Sequence, residues 1–108
     1  GAGRRFEKRL AAVRQQALQR QATDAAGRLE HAVRALIADY FNLSADGLTR
    51  QEIEQRLSQS AMSRDKVNRV CQWLDQCAAV RYAPANHSPD VEGWMGEIRN
   101  LMREGLRP

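Results

Sequence analysis

The stretch VNRVCQWLDQCAAVRYAP, residues 67–84, decides the fold of this 108-residue chain. Its first part carries an apolar stripe with helical spacing, formed by Val67, Val70, Cys71, Leu74, Cys77 and Ala78. Val80 and Tyr82 then alternate as they would on one side of an extended segment, and Pro84 disfavours helix at the residue before it. We therefore expect a helix followed by a short strand over 80–82, with Tyr82 packed inward and Arg81 pointing outward.

Helix-start signals precede this stretch. Thr49 and Glu52 have the spacing of a capping box, which predicts a short helix ending near Ser58. Ser63 is the expected N-cap of the helix that contains Val67. A short helix, a tight turn over 59–62 and a second helix are therefore expected between 49 and 80.

Two further helices are expected upstream. The first spans about 4–21 and has a narrow apolar seam of Phe6, Leu10, Val13 and Ala17. Thr23 or Asp24 is expected to cap the second, whose broad apolar face comprises Leu29, Val33, Leu36, Ile37, Tyr40 and Phe41. The narrow seam suits a single neighbour, so the first helix is expected to extend past the globular body.

The last helix is expected to have Ser88 as its cap and Pro89 in its first turn. Its stripe comprises Val91, Trp94, Met95, Ile98, Leu101 and Met102. The chain is thus predicted to be a small all-α domain of four to five helices, with winged-helix-like order in the C-terminal half and at most one short strand. We divide it into a basic N-terminal helix, 1–22, whose first two residues look like a cloning remnant, and a helical globular domain, 23–108.

The net charge of +4 is concentrated at the N-terminus. Between Arg4 and Ala22 there are six basic residues and one acidic residue, while the rest of the chain carries a net charge of −1. Such a segment is typical of a solvated helix face, a nucleic-acid-binding arm or a stretch beside a membrane anchor. No apolar run has the length of a membrane span.

The residues that usually carry chemistry are few and scattered. Cys71 and Cys77 are six apart on one predicted helix, about 9 Å along its axis, too far to form a disulfide. They are expected to be small core residues in a reducing compartment. His31 and His87 have no metal-ligand spacing to a second ligand, and no nucleophile elbow or phosphate-binding loop is present. We therefore expect no enzyme, metal, cofactor or small-molecule substrate.

Two functions from different classes remain. A winged-helix DNA-binding domain would present Arg64, Asn68, Arg69 and Gln72 from the helix over 64–80. However, residues 44–78 carry equal numbers of acidic and basic side chains, and a groove binder needs uncompensated cations. A protein-interaction domain is the preferred prediction, with nucleic acid as the less favoured partner.

Three segments resemble one known family. Residues 31–43, HAVRALIADYFNL, are similar to its "alwgYLsdkLnl" helix; 48–53, LTRQEI, to its "LTre-i" cap; and 74–84, LDQCAAVRYAP, to its "LdrCefaRYAP" segment. The family is BatD, a membrane protein of the Bat aerotolerance operon. The chain departs from the pattern at Ala78-Ala79 and at Ser60-Ala61-Met62.

The resemblance implies a C-terminal domain on the cytoplasmic face of the bacterial inner membrane, preceded by a membrane helix. It implies von Willebrand factor A-domain membrane proteins and a MoxR-type AAA+ ATPase as partners, and no catalytic residues. The candidate partner contacts are Trp73, which lies off the main stripe, with Arg69 and Arg81. The alternative for Trp73 is that it packs on the first or the last helix. The candidate membrane-proximal residues, which would face anionic headgroups, are Arg4, Arg5, Lys8 and Arg9.

Overall fold

The computed structural model describes residues 2–82 and 88–106. Over these residues the chain forms four helices: α1 (Ala2–Tyr40), α2 (Arg50–Ser58), α3 (Arg64–Val80) and α4 (Val91–Gly105). The prediction of a small all-α domain is confirmed. None of the described helices is long and apolar enough to cross a bilayer.

The two helices expected before residue 41 are one. α1 is continuous over 39 residues, about 58 Å at the usual rise, and it accounts for most of the molecule's 63 Å length. The predicted break at Thr23 or Asp24 is wrong because a good capping residue stabilises a helix start without creating one. No proline lies within α1 to interrupt its hydrogen bonds, so the helix continues through both residues.

α1 ends in a Schellman motif. The Leu43 N–H donates to the Ala38 carbonyl at 2.7 Å, and the Asn42 N–H donates to the Asp39 carbonyl at 3.2 Å. Asn42 adopts a left-handed conformation with φ of 57°. This motif turns the chain back toward the body and satisfies the last carbonyls of the helix.

The predicted starts of α2 and α3 are confirmed. Thr49 is the N-cap of α2 and accepts a hydrogen bond from the Glu52 N–H at 3.1 Å. Ser63 is the N-cap of α3 and accepts one from the Lys66 N–H at 3.3 Å. α4, in contrast, begins two residues later than expected: Asp90 is its N-cap and Pro89 lies before the helix.

The segment that follows α3 differs from its prediction. Val80 belongs to the last turn of α3, and residues 81–82 form a turn, not a strand. Tyr82 is 88 % exposed, so the inward placement of its ring is wrong. Because α3 continues through Val80, residues 80–82 do not form an extended segment. Val80 and Tyr82 therefore do not share a buried side, as their alternation had predicted. Residues 83–87 lie outside the described part of the chain.

The core lies where α1, α2 and α4 pack on α3. Its side chains are almost entirely aliphatic, with one indole, and include Val33, Ile37, Ile53, Leu57, Val67, Val70, Trp73, Leu74, Ile98 and Met102. Both cysteines are buried and free, as expected from their spacing. Ala78 is exposed, although it was expected in the α3 stripe.

Candidate docking cleft between α1 and α4

Of the three predicted partner contacts, Trp73 is buried, Arg69 is half-buried and Arg81 is exposed. Trp73 is 1 % exposed, because α3 is covered on several sides and its buried face is broader than one stripe. Its ring meets Trp94 of α4, so it belongs to the core and is not a surface anchor. Arg69 forms an ion pair with Glu97 of α4, and Arg81 lies exposed in the turn after α3.

The predicted membrane-proximal residues lie together at the other end of the molecule. Arg4, Arg5, Lys8 and Arg9 are all exposed in the first turns of α1. This part of α1 makes no described contact with the core cluster, whose α1 members begin at Leu29. The first residues of α1 thus lie outside the packed core.

Charges on α2 and α3 are largely compensated. Arg50 binds both carboxylate oxygens of Asp75, at 3.1 and 3.2 Å, and also contacts Glu54. Lys66 pairs with Glu104 at 3.1 Å. Binding to the phosphates of a nucleic acid requires unpaired cations.

An apolar cleft of about 490 Å³ lies between the second half of α1 and α4. Its described lining residues are Leu29, Ala32, Val33, Leu36, Tyr40, Met95, Ile98, Arg99, Met102, Arg103 and Leu106. Val33, Ile98 and Met102 form a buried floor that continues into the core. Leu36, Tyr40 and Met95 form the walls and remain 47, 42 and 49 % exposed.

The sequence placed these wall residues in the core. Leu36 and Tyr40 lie on the apolar face of α1, and Met95 lies on the stripe of α4, as predicted. However, α1 and α4 approach each other along only one edge of these faces, so the other edge stays open to solvent. The signal in the sequence was the width of the α1 face, which exceeds what one neighbour covers.

Two arginines border the cleft on the α4 side. Arg99 and Arg103 are one helical turn apart and both exposed. Neither forms an ion pair with a described residue, in contrast to Arg50 and Arg69. None of the described lining residues is acidic. The cleft thus combines an apolar floor with a positive rim.

No three His, Cys, Asp or Glu side chains within 2–82 and 88–106 are placed to hold a metal ion. His31 is exposed on α1, and His87 lies outside the described residues. Burial raises the pKa of the Cys77 thiol to about 12, which makes it a poor nucleophile at neutral pH.

Comparison with known proteins gives no relative. No protein-family model, no curated protein sequence and no solved structure matches this chain.

Proposed function

We propose that this chain is a non-enzymatic protein-interaction domain that binds an amphipathic helix of a partner protein in the α1–α4 cleft. The observation that carries the proposal is the row of exposed apolar side chains of Leu36, Tyr40 and Met95 above a buried apolar floor. Exposed large apolar groups scattered singly need no explanation, but a contiguous cleft of them is typical of an interaction site. Helix-in-groove binding uses such clefts, with anchors at positions i, i+3 or i+4, and i+7 of the bound helix.

The positive charge at the edge of the cleft favours a partner of negative charge. Arg99 and Arg103 lie along one wall without described carboxylate partners. A bound helix with Asp or Glu beside its apolar face would form ion pairs with the two arginines, whereas a basic helix would be repelled by them. The proposed occupant is therefore an acidic amphipathic helix.

The test uses a synthetic peptide of about 15 residues, near the shortest length at which an isolated helix is marginally stable. Leucines at i, i+3, i+4 and i+7 give it one apolar face, and glutamates fill the remaining positions. A matched peptide has lysine in place of every glutamate. At low salt we expect the glutamate peptide to bind more tightly than the lysine peptide. At high salt the difference in affinity between the two peptides should disappear. Fluorescence anisotropy measures both affinities.

Variants locate the binding site. Leu36→Glu and Met95→Glu should each weaken binding of the glutamate peptide, while Leu18→Glu, at a residue 59 % exposed outside the cleft, should not. Arg99→Glu combined with Arg103→Glu should weaken it more than the control Arg56→Glu. Equal binding of both peptides, or equal effects of cleft and control variants, would overturn the proposal.

We also propose a membrane-proximal, cytoplasmic position for the domain. Its support is the exposed cluster of Arg4, Arg5, Lys8 and Arg9, together with the resemblance of residues 31–84 to BatD. Each such cation contributes about 1 kcal/mol at an anionic surface. The corresponding partners would be von Willebrand factor A-domain membrane proteins or a MoxR-type AAA+ ATPase. Cosedimentation with anionic but not neutral vesicles, lost when the four residues are neutralised, is the expected result.

A further inference from the structure

The projecting part of α1 carries a second apolar surface, separate from the cleft. Phe6, Leu10 and Val13 are 60, 44 and 62 % exposed, and Ala17 continues their line. At about 100° per residue, Leu10 lies about 160° around the helix from the buried Ala26. This seam, Phe6–Leu10–Val13–Ala17, therefore points away from the globular body, and nothing in the described chain covers it.

The spacing of the seam indicates the kind of surface that covers it. Its residues are four, three and four apart, the a and d spacing of a coiled coil. A helix that lies in a membrane interface has a broad apolar face, whereas a strict two-per-heptad seam is narrow and fits one other helix. The occupant is therefore a helix.

We propose that the seam pairs with the same seam of a second copy of this chain, in antiparallel orientation. In that orientation Phe6 lies opposite Ala17 of the second copy, and Leu10 lies opposite Val13. The largest side chain thus meets the smallest, and the two intermediate ones meet each other. Because the arrangement is two-fold symmetric, each of these contacts occurs twice.

Charges beside the seam favour the same orientation. Glu7 and Arg14 occupy the same flank of the seam, one heptad apart. An antiparallel pair brings Glu7 of each copy beside Arg14 of the other. A parallel pair would instead bring Arg9 beside Arg14 of its neighbour, which is repulsive.

Three further basic residues, Arg4, Arg5 and Lys8, do not oppose this pairing directly. Arg4, Arg5 and Lys8 occupy the outer positions of the same heptads, away from the seam. They stay available to solvent or to an anionic surface in the dimer. Pairing through the seam thus does not involve the cleft, and it leaves Arg4, Arg5 and Lys8 exposed.

Sedimentation equilibrium over a range of concentrations tests the proposal. We expect the intact chain to form a reversible dimer. Leu10→Glu should abolish the dimer, and Leu18→Glu, equally charged but off the seam, should leave it unchanged. Circular dichroism should show that both variants keep the helical content of the intact chain, because residues 10 and 18 are exposed.

A charge exchange tests the orientation. Glu7→Arg and Arg14→Glu should each raise the dimer dissociation constant by about tenfold, since two symmetric attractive pairs become repulsive. The double variant should restore the original value. In a parallel dimer Arg14→Glu would strengthen association, through Arg9, and that outcome would overturn the proposal.

Three other results would also overturn it. The first is a chain that stays monomeric up to about 1 mM, the weak end of specific association. The second is a dimer that Leu10→Glu does not affect, which would place the interface elsewhere. The third is a monomeric chain whose Leu10 is needed to bind anionic vesicles, which would make the seam a lipid-binding surface.

Discussion

Trp73 of α3 meets Trp94 of α4 edge to face, with ring centroids 6.2 Å apart and ring planes at 89°. Trp73 is almost completely buried, and among the described residues its Nε1 has no hydrogen-bond partner. The indole therefore contributes through packing, at some cost for its unpaired N–H.

Trp73→Ala should lower the free energy of unfolding by about 3–5 kcal/mol, because it leaves a large cavity at the α3–α4 contact. Chemical denaturation monitored by circular dichroism gives this value. Tyr82→Ala is the matched aromatic control and should change stability by less than about 0.5 kcal/mol, since Tyr82 is exposed. Similar losses in both variants would contradict the assignment of Trp73 to the core and Tyr82 to the surface.

Because of Cys77, the free energy of unfolding should fall at alkaline pH. Burial raises the pKa of its thiol from 9.0 to about 12, because the thiolate would be poorly solvated in the core. The unfolded chain ionises first, so the stability that this neutral thiol provides is complete below pH 9 and is lost between pH 9 and 12. Between neutral pH and about pH 10 the intact chain should lose about 1 kcal/mol more than Cys77→Ala does.

Urea denaturation of both proteins at the two pH values measures that difference. The comparison cancels the titration of residues that the two proteins share. An equal loss in the intact chain and in Cys77→Ala would show that the thiol ionises in the folded protein as readily as in the unfolded chain.

Gly96 lies in the interior of α4, where a Cβ would meet no atom within 4 Å. Gly96→Ala should therefore stabilise the domain by about 0.5–1 kcal/mol, through the lower conformational entropy of the unfolded chain. Gly105→Ala is the contrasting variant, because its Cβ would collide with the side chain of Met62. It should destabilise the domain, and the opposite order of the two melting temperatures would contradict the α4 packing.

Asn42 holds the left-handed position that ends α1. Asn42→Ala should cost about 1 kcal/mol, because a Cβ disfavours this conformation and the alanine has no side chain to bond locally. Asn42→Gly should be neutral or stabilising. Thermal melts of the two variants and the intact chain provide the test, and equal melting temperatures would show that the turn does not require the left-handed residue.

The starts of α2 and α3 were predicted correctly because the sequence carries local capping signals there. Thr49 and Ser63 each combine a capping side chain with apolar residues on both sides of the helix start, so local and tertiary preferences agree there. At Thr23 only the capping side chain favours a helix start, and no residue before Thr23 in α1 ends the helix that precedes it. A cap signal without a stop signal therefore predicted a boundary that does not exist.

The cleft between α1 and α4 was not predicted from the sequence. The stripes that contain Leu36 and Met95 were recognised, but a stripe does not show which of its edges a neighbour covers. Likewise, Trp73 lies off the α3 stripe and is nevertheless buried, because α3 contacts three other helices. Both results depend on how the helices pack against one another, which the spacing of apolar residues does not encode.

The continuity of α1 fixes the angle between its two surfaces. The seam at residues 6–17 and the cleft wall at Leu36 and Tyr40 belong to one uninterrupted helix. Their relative rotation is therefore set by the number of residues between them. Inserting one residue near Gln21 would turn the cleft by about 100° relative to the seam and move it about 1.5 Å farther away, whereas seven inserted residues would nearly restore the original angle. In a symmetric dimer, this residue count determines the direction in which each cleft opens.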